Sequence, residues 1–527
     1  MPRIKRSLRN NALRSLQKSF SADTIKDNQS SSSQTRGFSR RKFIGDVTKA
    51  ATIISMPALY SACQMKNDKT QPVIAIIGGG IAGLHAAFIL KNAGYQSTIY
   101  EATQRPGGRI LTVNDMMGPG LWTEMGGEFI DTTHEDMLNL AAHFKLPLLD
   151  RQSPENIKLK EYAYYFQQKH LQEEDLLKAL APFRERIRKD IDSLSEEITF
   201  ENFSADDKRL DEMSIVNYMQ QLGINGWLFD FINAAFTSEY GTDASDQSSI
   251  NMLSIFDVGD AKSYKLFGTS DERFSIIGGN SKLCEALAKD MKEQILYDHR
   301  LLSLNQNSSG QYLLTFGQTG GKKNEVKADF VLLALPFTLL REVDIKMKLP
   351  EWKINAIRNL SYGMNSKLFI GVKERLWRQQ GYSGYAFADN LLMNGYDHTE
   401  MQTHNEGPGG YTVNLGGKQS LQIGNTEMQV LQKIYLEAFD QVFPGAIGQF
   451  NDKFQKWFWP SYEFSKASYT SFKPGQYTTI SGATMKPVDK LFFAGEHCSY
   501  EFQGFMNGGA QTGRLAASAI LDLIRKK

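Results

Sequence analysis

The feature that most constrains this chain is the stretch QPVIAIIGGGIAGLHAAFILKNAGYQSTIYEA, from Gln71 to Ala102. Val73 to Ile77 is an unbroken apolar run of strand length, the pattern of a strand buried on both faces. Gly78, Gly80 and Gly83 follow at GxGxxG spacing, and Leu84, Ala87, Phe88 and Leu90 continue at helical period. The glycines have separate physical reasons. Gly78 permits a tight turn, Gly80 lets the backbone approach a pyrophosphate at a helix N-terminus, and Gly83 lets the helix pack closely on the strand. A second strand, Ser97 to Tyr100, ends at Glu101, the acid about 20 residues on that hydrogen-bonds a ribose hydroxyl. The stretch predicts the opening unit of a Rossmann-like α/β domain for a dinucleotide, with FAD and NAD both open at this point.

The next residues narrow that choice. EATQRPGGRI places Gly107, Gly108 and Arg109 just after the acid, a basic side chain beside a flexible turn, suited to the diphosphate of an extended dinucleotide. Here the sequence resembles the flavin-containing amine oxidase family, in which RxGGR follows the acid. The resemblance continues through EMGGEFID (Glu124 to Asp131), IIGGNSKLCEALAK (Ile276 to Lys289), ADFVLLALP (Ala328 to Pro336) and LFFAGEHCSYEFQGFMNGGAQTGRLAA (Leu491 to Ala517). It implies FAD held by Gly78, Gly80, Gly83, Glu101, Gly108, Arg109, Gly126, Gly127, Phe129, Glu496 and Met506. The glycine-rich helix start after Glu496 would stabilise negative charge on a reduced flavin.

The order of these blocks implies a discontinuous FAD-binding domain over 71–115, 271–345 and 485–527. A mixed α+β substrate-binding domain would be built from 116–270 and 346–484. Residues 170–235 read as helices, because Leu176, Leu177, Leu180, Phe183 and Ile187 recur near helical period. Ser366 to Val372 and Gly410 to Leu415 read as strands facing the flavin.

The resemblance also implies four catalytic positions. Lys367, in LSYGMNSKLFIG, matches the family's buried lysine, which reaches the flavin N5 through a water. Trp459 and Tyr469 fall at the spacing of the family's WxxDPxxxGxY pattern, and Phe505 falls where the opposite wall of its aromatic cage stands. Two facing rings admit a slim neutral amine and favour its nitrogen through their π faces.

Departures from the family pattern carry information. Ser468 stands where some members have the cysteine bonded to the flavin, so FAD is expected to be non-covalent. Tyr462 and Glu463 replace the Asp-Pro of the pattern, and Ala467 replaces its glycine. Phe129 stands where amino acid oxidases of the family carry an arginine for the substrate carboxylate. Asp131 falls where some polyamine oxidases line their tunnel with an acid; it reads equally as a turn aspartate before TTHEDM. The expected reaction is oxidation of an amine to an imine with oxygen reduced to hydrogen peroxide. An L-amino acid oxidase, a desaturase, or a non-catalytic flavin-binding protein are the alternatives.

The N-terminus carries a different message. Residues 1–62 hold 12 of the 60 Lys and Arg but 3 of the 58 Asp and Glu, leaving 48 against 55 beyond them. The remainder is mildly acidic, which argues against nucleic acid as a partner. Low apolar content before Lys42 reads as disorder. Arg40 and Arg41 precede a short apolar run with Asp46 and Lys49 in it, too short to span a membrane. This is the layout of a twin-arginine export signal, so the translocation machinery is an expected partner and the periplasmic side the expected location. LYSAC resembles a lipoprotein box with Cys63 as the lipidated residue, leaving cleavage, an uncleaved anchor and a lipid anchor all open. With Cys63 so assigned, Cys284 and Cys498 allow at most one disulfide. No metal cluster is expected, and the assembly is open, a homodimer included.

Overall fold

The computed structural model describes residues 71–154, 156–402 and 407–526. The paired arginines and Cys63 lie outside the described residues.

A five-stranded parallel sheet is ordered Leu491–Phe493, Phe330–Leu333, Ile74–Ile77, Thr98–Tyr100 and Ile295–Leu296. Ile74–Ile77 sits at its centre, in register with Phe330–Leu333 on one side and Thr98–Tyr100 on the other. Its four residues are buried, which is why the run is apolar without alternation. The strand starts one residue later than the apolar run, because Val73 is exposed and its N–H goes to the Asp329 carboxylate at 2.9 Å. Ser97 likewise stands just outside its strand.

The helix Ile81–Asn92 follows the central strand and packs against the last helix, Met506–Arg525. Glycine makes that approach close: a Cβ on Gly513 would lie 2.1 Å from the Ala82 carbonyl oxygen, and one on Gly509 would lie 2.9 Å from Ile81. The first turns of two helices therefore stand side by side at the C-terminal edge of the sheet, where an α/β sheet binds its ligand.

A seven-stranded mixed sheet runs Phe450–Phe458, Ser366–Val372, Gly409–Leu415, Asn394–Asp397, Tyr382–Ala388, Lys160–Phe166 and Lys169–Leu171. Ser366–Val372 is buried along its whole length between two antiparallel neighbours. Helices Glu173–Leu180, Arg184–Ser193, Ala205–Asp211, Ile215–Leu222 and Gly226–Tyr240 build a separate apolar core around Phe231 and Phe236. The helical period expected from Leu176 to Ile187 is two helices, with Phe183 as the N-cap of the second. A four-stranded sheet, Lys323–Ala328, Tyr312–Gly317, Arg300–Gln306 and Asp344–Ile345, completes the α/β architecture. Cys284 and Cys498 are buried free thiols. Among the described residues no helix is long and apolar enough to cross a membrane.

Candidate active site

The glycine loop shows which glycine answers to the protein and which does not. Gly78 has φ +110°, and a Cβ there would meet the Ala334 oxygen at 2.5 Å; a Cβ on Gly83 would meet the Gly78 oxygen at 2.0 Å. Gly80 has an ordinary φ of −74°, and a Cβ on it would meet no protein atom within 4 Å. Its smallness is therefore not demanded by packing, and it leaves a cradle at a helix N-terminus suited to a diphosphate. Glu101 is buried at the end of its strand, with Oε2 accepting the Gly79 N–H at 2.7 Å and Oε1 accepting Thr103 at 2.8 Å. Gly107 N–H donates to the Gly79 carbonyl at 2.8 Å, laying the RPGGR turn on the glycine loop, with Gly108 at φ +57° beside Gly80. These residues fit a flavin dinucleotide.

Arg109 joins that turn to the far end of the chain. Its Nη1 donates to Glu496 Oε1 at 2.8 Å and to the Ser468 carbonyl at 2.5 Å. Glu496 in turn accepts the Gly504 N–H at 3.0 Å and the Thr470 N–H at 3.3 Å. One carboxylate thus ties together the RPGGR turn, the segment before Thr470 and the loop before Met506. Burial would raise Glu496, yet Arg109 and His497 beside it hold it below the usual carboxylate range. Ser468 is buried and its hydroxyl donates to Asn365 at 2.6 Å.

The EMGGEFID turn is packed from several sides. Trp459 donates from Nε1 to the Met125 carbonyl at 3.0 Å, and a Cβ on Gly126 would stand 2.9 Å from its ring and 1.9 Å from the Arg109 oxygen. A Cβ on Gly127 would lie 2.5 Å from Met506. Lys367, only 8% exposed, reaches this turn from the buried strand: Nζ donates to the carbonyls of Glu124 at 3.1 Å and Gly126 at 3.2 Å and to Glu128 Oε2 at 2.9 Å. Glu124 faces Asn280 and Thr112, and burial pushes it up to about 7.

A connected set of aromatic and acidic groups leads away from the lysine. Glu128 accepts the Tyr396 hydroxyl at 2.6 Å, and Tyr396 stacks on Tyr385 at 5.2 Å. Tyr385 donates to Glu272 at 3.3 Å. Tyr469 is half-buried, with its hydroxyl on the Glu239 carbonyl, and Phe505, also half-buried, lies edge-on to His134 at 5.1 Å. Gly504, φ +85°, lets the chain pass Tyr469, whose ring would stand 3.5 Å from a Cβ there. Burial pushes Glu239 up to about 7 and Glu272 up to about 8, with Asp131 adding to both.

Asp131 is 3% exposed, accepts the Glu272 N–H at 2.9 Å and faces His134 Nε2 at 3.3 Å. Burial raises its carboxyl. Phe129 carries the Arg151 guanidinium over its ring at 4.4 Å. Sequence reasoning singled out neither Glu128 nor Glu239, Glu272 and Arg151. An acid directly after a paired glycine was the one available signal for Glu128; the others come from segments that meet only on folding.

Residues 81–521 match the family described as flavin containing amine oxidoreductase. The flavin-containing amine oxidase of Oncorhynchus mykiss is 24% identical over 461 residues, 85% of this chain and 85% of that protein. The L-amino-acid oxidase of Daboia russelii is 24% identical over 478 residues, 86% of this chain and 90% of that protein. Among solved structures, wild-type putrescine oxidase bound to putrescine superposes with a TM-score of 0.72 at 19% identity, covering 86% of this chain and 99% of that one. Cyclohexylamine oxidase from Brevibacterium oxydans also has a TM-score of 0.72 at 19% identity, over 86% and 100%. At these identities the two structures share the fold with this chain.

Proposed function

Because the chain belongs to the flavin-containing amine oxidase family and is an enzyme that works with a flavin, we propose that it oxidises R–CH2–NH2 to the imine with non-covalent FAD, water then releasing aldehyde and ammonia. The bound flavin supplies the two-electron chemistry, with oxygen as the final acceptor giving hydrogen peroxide. The observation that carries the reading is the placement of Lys367, buried on a sheet yet fixed at the carbonyls of Glu124 and Gly126.

The chain's own groups then have separate tasks. Gly80 and the neighbouring helix start hold the diphosphate, Glu101 the ribose, and Arg109 with Glu496 keeps the two glycine turns in place. Trp459 and Met506 back the Gly126–Gly127 turn. Tyr469 and Phe505 flank the amine. Its nitrogen must lose a proton before its lone pair can assist loss of hydride, and Glu239 and Glu272 are titratable at the pH where that exchange is easiest. Above those values they carry negative charge, which favours a substrate with a second ammonium group.

A second reading, an amino acid oxidase, has one observation in its favour: Arg151 lies over Phe129, the place of the missing carboxylate clamp. Against it, Arg151 Nη2 is held by Glu400 at 2.6 Å. Anaerobic exposure of the yellow protein to amines and amino acids distinguishes the two, and a flavin that neither reduces would favour a non-catalytic binding protein. We also infer export of the folded, flavin-loaded chain by the twin-arginine route, on the strength of Arg40 and Arg41 followed by a short apolar run.

A further inference from the structure

The three contacts of Lys367 account for all its protons. An ammonium has three N–H donors and no acceptor, and the acceptors are two backbone carbonyls and Glu128 Oε2. The carbonyls are fixed by the fold, so the one partner that brings charge is Glu128. Both side chains of the pair are nearly buried, at 10% and 8% exposed. Taking one charge from such a pair leaves the other uncompensated.

Among the described residues no neighbouring carboxylate is free to replace Glu128. Glu124 directs its oxygens to the Asn280 N–H at 2.7 Å and the Thr112 hydroxyl at 2.9 Å. Glu400 is held by Arg151 at 2.6 Å and Asp397 by Arg375 at 3.4 Å. Glu128 is itself held from its other side by the Tyr396 hydroxyl at 2.6 Å.

Building on the amine oxidase reading of Lys367, we propose that Glu128 is its positioning residue: a buried counter-ion that aims the amino group at the Gly126–Gly127 turn and sets the positive charge the lysine presents toward the flavin. The lysine then acts as half of a neutral unit, so removing either partner changes the charge near the flavin in opposite directions.

The test is the midpoint potential of the bound flavin, measured with a chemical reductant and redox dyes so that no amine is needed. Glu128→Gln leaves the lysine uncompensated and raises the potential, because nearby positive charge favours electrons on the flavin. Lys367→Met leaves the carboxylate uncompensated and lowers it. The double variant returns close to wild type. Turnover with an amine falls roughly 10- to 100-fold in each single variant, with the double no slower than the slower single. Glu128→Asp separates charge from shape: the proposal places Asp nearer wild type than Gln, and should Gln prevent folding, Asp must leave the potential near wild type while Lys367→Met lowers it. Potential shifts of one sign, turnover losses that multiply in the double variant, or Gln nearer wild type than Asp each overturn it. A wild-type flavin that no amine reduces overturns the amine oxidase reading instead, while the potentials still judge the ion pair.

Discussion

Replacing Gly80 with Ala separates the needs of the fold from those of the cofactor. In the free protein the added methyl meets no protein atom within 4 Å, and φ at −74° suits any residue. Gly80 is the N-cap of its helix, where Ala costs a few tenths to about 1 kcal/mol against Gly. The stiffer unfolded chain returns about 0.4–1 kcal/mol. The flavin-free protein should therefore unfold within about 2 °C of wild type. With the dinucleotide bound, the methyl occupies the line along which the backbone approaches the diphosphate, and overpacking of this kind costs about 1–3 kcal/mol. FAD should bind roughly 5- to 150-fold more weakly. Gly83→Ala is the control, because its methyl would stand 2.0 Å from the Gly78 carbonyl oxygen. Helix and strand must then move apart, costing about 3 kcal/mol or more and about 3 °C or more in the flavin-free protein. Thermal unfolding of the stripped protein and flavin fluorescence quenching read the two effects. Gly80→Ala that binds FAD as wild type does, or that loses as much stability as Gly83→Ala, would refute the reasoning.

Three further outcomes follow from particular residues. Acid precipitation of the yellow protein should leave all FAD in the supernatant, since Ser468 cannot form a thioether; flavin retained in the pellet contradicts this. Glu272 at about 8 and Glu239 at about 7 hold protons more tightly folded than unfolded. Their stabilisation is complete below the unfolded value near 4.5 and is lost as pH rises through 7 to 8. The unfolding temperature should fall between pH 5 and pH 8.5, and Glu272→Gln should flatten that fall by roughly 2 kcal/mol after allowance for partial exposure; an unchanged slope would show the carboxyl to be solvated. Replacing Arg40 and Arg41 with Lys should leave folded precursor in the cytoplasm on fractionation, and unimpaired export would make the pair incidental.

Legibility differed with the distance over which a feature is built. The glycine loop, its helix and Glu101 were readable because strand, turn and acid fall within one short stretch whose spacing has local physical causes. Lys367, Trp459, Tyr469 and Phe505 were singled out only through resemblance. What the structure adds is that Lys367 and Trp459 converge on Gly126 from the same end of two neighbouring strands of the substrate-side sheet, Lys367 near the start of Ser366–Val372 and Trp459 just past Phe450–Phe458. Glu128 could not be read as the lysine's partner, because the two are 239 positions apart and meet only through that sheet. Glu239 and Glu272 were hidden for the same reason. One ends a helix, the other follows an irregular stretch, and only folding brings both near Asp131. Asp131 itself was readable as an acid near the site but not as one committed to the Glu272 N–H and His134.

The central claim is that this enzyme takes electrons from amines, and the direct measurement is anaerobic stopped-flow mixing of the oxidised yellow protein with monoamines, diamines, polyamines and amino acids, following the visible flavin band. The account predicts bleaching by amines, fastest with a diamine or polyamine, at a rate that rises with pH as the reacting nitrogen loses its proton, and recovery of colour with hydrogen peroxide on admitting oxygen. Preferential bleaching by amino acids, or a flavin that no amine reduces, would contradict it.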